Sequence, residues 1–131
     1  MIGGHVARES IRTADAPASA LYSQGVKAGS HIFVSGTPGI DPSTGHMAGA
    51  TIRDQTLQAL TNCAAILAAG GASLDDVVEV GVLLTNSEDF AGMNEAYAQV
   101  FATDPPARYV ARLGVTLPDV LVSIRMTAII T

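Results

Sequence analysis

Hydrophobic and polar positions alternate with a clean period of two in VLVSIRMTAII, residues 120–130. Val120, Val122, Ile124, Met126, Ala128 and Ile130 share one face, while Leu121, Ser123, Arg125, Thr127 and Ile129 share the other. This pattern predicts a strand with one buried side. HIFVSG, residues 31–36, is short, β-branched and aromatic, and Gly36 closes it, which predicts an earlier strand. DDVVEVGVLLT, residues 75–85, alternates imperfectly with apolar residues on both faces, and predicts a central strand covered on both sides. ARYVARLGVTL, residues 107–117, reads as a further buried strand, broken by Arg108 and Arg112.

Two stretches carry the helical period instead. Ile52, Leu60, Cys63 and Leu67 recur at helical spacing over residues 51–69, with Thr51 as cap and Asp54 in the first turn, where the helix dipole favours a negative charge. Gly70-Gly71 ends that run. The second helix is expected to start at Asn86 or Ser87 and run to about Phe101, with Phe90, Met93, Tyr97 and Phe101 as its buried stripe. Between strand and first helix, TPGIDPSTGHMAG is dense in turn residues, Pro42 presetting φ and Gly45 supplying a positive φ. Residues 1–20 show little periodicity and form an edge strand or a loose arm, the arm being drawn over residues 1–13.

The order is strands, helix, strand, helix, strands. Both helices can cover one face of a single mixed sheet, giving an α+β two-layer sandwich in one domain spanning residues 1–131. The opposite face of the final strand is mixed in character, suited to a subunit interface or a pocket.

Composition sharpens this picture in one respect. Hydrophobic residues make up 48 % of the 131 residues and charged ones only 15 %. A domain this size leaves much of its surface exposed, so part of its apolar surface is expected to meet another subunit. The net charge of −5, with seven Lys and Arg, argues against nucleic acid, because phosphate binding needs a basic face. No stretch reaches membrane-spanning length, and MIGGHVARESIR lacks the apolar core of a signal peptide, so a soluble cytoplasmic protein is expected. Cys63 is the only cysteine, which excludes an intrachain disulfide and a thiolate cluster, and its apolar helical setting makes it a core residue.

Common catalytic signatures are missing. There is no P-loop, no GxGxxG following a strand and no GxSxG elbow. His5, His31 and His46 lack metal-ligand spacing and read as surface or turn residues. What remains unexplained is the pair of arginines behind a double proline, since a charge in a buried strand is costly unless something pairs with it.

Several segments, taken in order, resemble the Rid family, also called the YjgF or reactive-intermediate deaminase family. They are YSQGVKAG (22–29), FVSGTPGIDPSTG (33–45), QTLQALTNCAAILAAGGASLDDVVEVGVLLT (55–85), DFAGMNEAYAQVF (89–101) and PPAR (105–108). The similarity runs over roughly residues 14–131. The resemblance implies a chorismate-mutase-like fold assembled as a homotrimer, with ligand sites between neighbouring subunits. It implies hydrolysis of a small 2-imino or enamino acid to a 2-oxo acid and ammonia, with no cofactor and no metal.

Carried over residue by residue, the arginine of the PAR motif is Arg108, whose planar fork can grip a substrate carboxylate through two hydrogen bonds. The family's N-terminal tyrosine falls on Tyr22. Its serine and glycine at the strand end fall on Ser35 and Gly36, where a hydroxyl and a backbone N–H can complete an anion-binding nest. Asn94 matches a family asparagine, and the backbone at Tyr109 and Val110 supplies a further donor, Val110 standing where a cysteine is often found. One departure is chemically significant. The family's final strand carries a water-activating glutamate in an EIEA-like motif, but this chain has SIRM, with Ser123 at the glutamate position and Arg125 at that of a second acid. Serine is a poor base at neutral pH. Asp119 is a candidate replacement acid, set against a plain turn residue. Arg112 reads as an interface salt bridge, and Arg125 as pocket wall or interface. The expected function is therefore an imine-deaminase hydrolase, the alternatives being a non-catalytic or divergent binder of small carboxylates and a scaffold trimer without ligand.

Overall fold

The computed structural model describes residues 7–131. His5 lies outside the described residues. Six strands and two helices follow in the order β1 (Arg8–Ile11), β2 (Gly25–Ala28), β3 (His31–Pro38), α1 (Ile52–Ala69), β4 (Val77–Leu84), α2 (Phe90–Val100), β5 (Ala107–Arg112) and β6 (Val122–Ile129). The strands form one sheet in the order β1-β2-β3-β6-β4-β5. All neighbours are antiparallel except β4 and β5, which run parallel. The mixed α+β sheet with both helices on one face is thus as the hydrophobic pattern predicts.

The period of two in β6 sets the core. Val122, Ile124, Met126 and Ala128 point at the helices, where they meet Ile32 and Val34 of β3 and Val80 and Val82 of β4. Ala59, Leu60, Cys63, Ile66 and Leu67 of α1 close over them, with Met93 and Tyr97 of α2. Thr51 caps α1 as its sequence indicates, its hydroxyl accepting from the Asp54 N–H at 3.1 Å. Cys63 is fully buried, and burial pushes its thiol up to about 12. The native protein should therefore resist a thiol-specific reagent at pH 8 and react at one thiol per chain once unfolded in urea, read by absorbance of the released chromophore.

Two stretches that the pattern left unassigned or open resolve, and two expectations change. A strand at Gly25–Ala28 escapes the pattern because GVKA is short and poor in β-branched residues. It is made by pairing with β3 across a two-residue turn in which Gly29 takes a φ of 59°. The N-terminal alternative resolves over Arg8–Ile11 to an edge strand on β2, so those residues are no loose arm. β4 is covered on one side only: Val77, Val80, Val82 and Leu84 are buried under the helices, while Val78 and Glu79 stand exposed. The PPARYVARLG segment is not buried either; β5 lies at the edge of the sheet and is exposed along nearly its whole length. Arg108 and Arg112 carry no desolvation penalty of the kind a central strand would impose.

Smaller shifts occur at α2. Its N-terminus begins as a 3-10 turn over Ser87–Asp89, with the Asn86 side chain accepting from the Glu88 N–H at 2.9 Å. Phe90 falls outside the buried stripe and is exposed, because it lies on the helix edge facing β5 rather than the sheet centre.

The buried face of α1 is not purely apolar. Gln55 and Asn62 are almost wholly buried and act as clasps. Gln55 donates to the carbonyls of Gly49 and Asp119 and accepts from the Leu121 N–H, all within 3.1 Å. Asn62 donates to the carbonyls of Pro38 and Ile40. These bonds moor the loop after β3 and the entry into β6 to one helix. Gly39 lies so close to the Gln55 backbone that a Cβ would sit 2.4 Å from its carbonyl oxygen.

Candidate active site

The register between β4 and β5 decides where the arginines point. Arg108, Val110 and Arg112 pair with Val80, Val82 and Leu84, all of which face the helices. Neighbours across a ladder share a face, so these three side chains lie on the helix side. Tyr109 pairs with Gly81 on the opposite side and lays its ring on that glycine, where a Cβ would come within 2.4 Å of it.

Arg108 reaches α2. Its Nη1 donates to Asn94 Oδ1 at 2.8 Å and approaches Met93 Sδ at 3.9 Å. The guanidinium carbon sits over the Tyr97 ring, 4.8 Å from its centroid, within cation–π range. The Nε–Nη2 edge makes no hydrogen bond to the described residues. Next along the strand, Val110, Ala111 and Arg112 line a cleft of about 370 Å³ with Leu84, Ser87 and Phe90. Arg112 forms no salt bridge among the described residues.

A second cluster lies on the outer face of the sheet. The β3–β6 register slips between Val34 and Thr37, and Ser35 and Gly36 occupy this bulge. Gly36 abuts Ser123, a Cβ there falling 2.9 Å from the Ser123 Oγ. The Ser35 hydroxyl donates to the Ser23 carbonyl at 2.6 Å, and the Ser35 N–H donates to the Gln24 carbonyl. That hydroxyl is committed as a donor and has no proton left for an anion. Arg125 is held by Glu79 at 3.0 Å, by the Met126 carbonyl and by the Thr127 hydroxyl. Tyr22 stands 51 % exposed on the segment before β2, beside a groove lined by Arg12, Thr13, Ser19 and Ser23. Asp119 is a turn residue with a φ of 63°, its carbonyl bound by Gln55 and its side chain exposed.

The structure thus joins Arg108 with Asn94, and Ser123 with Gly36, but keeps the two pairs apart. Ser123 alternates with the buried Val122 and Ile124, so it faces away from the helices that Arg108 faces. Two strand spacings and three residues of offset put their Cα atoms about 14 Å apart, with the side chains on opposite sides of the sheet. One small molecule cannot touch both within one chain. Tyr97 and Met93, which hold the arginine, went unrecognised as site residues because a helical apolar stripe looks the same whether or not a cation lies on it.

Known proteins give this arrangement its context. The family model described as endoribonuclease L-PSP matches residues 13–130. A crystal structure of YyfA from Yersinia pestis, described as a conserved Rid-family protein, superposes with a TM-score of 0.88 at 32 % identity, covering 95 % of this chain and all of that one. The chain belongs to the Rid family. A human Rid relative, 2-iminobutanoate/2-iminopropanoate deaminase, is 41 % identical over 102 residues, 77 % of this chain and 74 % of that protein. A further Rid-fold structure, Escherichia coli TdcF with bound serine, has a TM-score of 0.88 at 35 % identity, covering 94 % of this chain and 99 % of TdcF. Among the described residues, no helix is long and apolar enough to cross a membrane.

Proposed function

We propose that this Rid protein hydrolyses small 2-imino acids to 2-oxo acids and ammonia, with the substrate carboxylate on Arg108. The observation that carries this reading is the free Nε–Nη2 edge of a guanidinium whose Nη1 is bound to Asn94 and whose carbon sits over Tyr97, both on α2. Two parallel N–H donors match a carboxylate. The deaminase name of the human relative and the bound serine of TdcF, a small amino acid with a carboxylate, support the same choice. The chain's net charge of −5 weighs against a polyanionic substrate such as RNA.

In this reaction water adds to C2 of the protonated imine, and one of its protons passes to the nitrogen. Ammonia leaves as the remaining O–H gives its proton to bulk water and the C2–O bond becomes a carbonyl. Ser123 holds the water by hydrogen bonding without acting as its base, with Gly36 leaving room beside it. Because Arg108 and Ser123 face opposite ways, the complete site requires the outer face of a second copy, in a homotrimer. Phe33, Val78, Tyr109 and Ile129, all at least 40 % exposed, supply the apolar surface for such an assembly. The backbone at Tyr109 and Val110 supplies a further donor, and Tyr22 lines the substrate's remaining side.

The test is ammonia release from freshly generated 2-iminopropanoate, run on the wild type beside Ser123→Glu. A rate above buffer is expected for the wild type. A gain of tenfold or more is expected for the variant, since a positioned general base is worth about 10²–10⁴-fold. No rate above buffer for either protein would defeat the reading. Saturable binding of 2-oxo acids without turnover would instead establish a carboxylate-binding protein, the reading favoured by serine at the acid's position.

A further inference from the structure

Arg108 projects from an exposed edge strand, where a long side chain ordinarily samples many rotamers. Its hydrogen bond to Asn94 Oδ1 restrains one nitrogen but not the plane of the guanidinium, which could still turn about the Nη1···Oδ1 line. The Tyr97 ring, one helical turn beyond Met93, lies beneath the guanidinium carbon with its centroid 4.8 Å away, in position to oppose that rotation. The ring is itself immobilised. Tyr97 is only 7 % exposed, belongs to the core cluster, and packs against Phe101 with ring centroids 4.9 Å apart.

The phenol oxygen gives a second, independent clue. Tyr97 Oη is buried and has no hydrogen-bond partner among the described residues. Burial pushes the phenol pKa up, with the Arg108 charge pulling the other way, so the ring stays neutral. The hydroxyl therefore does not anchor the residue, and the feature in use is the aromatic face.

We propose that Tyr97 is a positioning residue whose ring sets the plane of the Arg108 guanidinium and so aims its Nε–Nη2 edge at the substrate carboxylate. This rests on the reading that Arg108 holds that carboxylate, and it assigns Tyr97 no contact with substrate. The ring must be aromatic, and its hydroxyl is dispensable.

The experiment measures binding of 2-oxobutanoate by calorimetry, together with KM and kcat on the imine, for Tyr97→Phe, Tyr97→Leu and Phe101→Leu. Loss of a cation–π contact predicts that Tyr97→Leu weakens binding about threefold to tenfold and raises KM alike, with kcat changed less than twofold. Tyr97→Phe should bind within twofold of the wild type. Phe101→Leu loosens the packing behind the ring but leaves the ring under the arginine, so it should lower the melting temperature and weaken binding less than twofold. Wild-type affinity in Tyr97→Leu would overturn the proposal, as would equal weakening in Tyr97→Phe or in Phe101→Leu. If 2-oxobutanoate follows the expected pattern while no imine is hydrolysed, the positioning role stands and the deaminase reading falls. If imines are hydrolysed and Tyr97→Leu is indistinguishable from wild type, only the positioning role falls. Failure of the wild type both to bind 2-oxobutanoate and to hydrolyse any imine removes both.

Discussion

Arg108→Ala should lower kcat/KM for 2-imino acids by on the order of 10²–10³-fold, with most of the loss in KM. Alanine removes both N–H donors and the charge, so a substrate carboxylate desolvated at this position has nothing to replace its lost water. Arg108→Lys is the sharper comparison. An ammonium keeps the charge but has neither the fork nor the planar face that lies on Tyr97, so it should recover no more than about a tenth of the lost activity. Neither variant should lower the melting temperature appreciably, since Arg108 is exposed on an edge strand and lies outside the core cluster. The measurement is steady-state ammonia release at saturating and limiting substrate, beside a thermal melt. Unchanged kcat/KM in Arg108→Ala would remove the carboxylate from this position.

The second large effect concerns stability. Gln55→Leu should cost about 3 kcal/mol, read as a drop in the urea midpoint with little change in slope. Leucine fills similar volume, so no large cavity arises. It strands three groups instead: the Leu121 N–H and the carbonyls of Gly49 and Asp119. The two carbonyls lie on loops that water can partly reach, which keeps the cost below that of three fully buried orphans. Residues 119–121 lead directly into β6, so a loosened entry should also blur the position of Ser123 two residues later. A loss of kcat larger than the fraction unfolded would reveal that coupling. A midpoint within 0.5 kcal/mol of wild type would show that the clasp is redundant.

Several features were open to reading along the chain because they are local. The alternation of β6 states which side chains are inward whatever lies opposite. Thr51, Asp54 and Gly70-Gly71 bound α1 through hydrogen bonds and backbone preferences confined to a few residues. The ordered segments from YSQGVKAG to PPAR carried family membership, and with it the choice of Arg108 and Asn94, which the fold brings to 2.8 Å.

Other features were not readable, and for a common reason. GVKA becomes a strand only because β3 offers it a ladder, and no pattern within four such residues encodes that. The central or edge rank of a strand depends on its order in the sheet, so PPARYVARLG looked buried when β5 in fact closes one margin. Gln55 reads as a polar interruption of a helix until the distant Asp119 and Leu121 arrive beside it.

The sequence by itself determined both helices, the strands β3 to β6, the composition of the core face and the family, because periodicity, capping and turn chemistry act over a few residues. Only the tertiary structure decided that Arg108 turns toward Tyr97 and Asn94 while Ser123 turns the opposite way. That outcome is set by strand order and register, which pair residues far apart in the chain, and a strand's side chains cannot change face without moving the whole register.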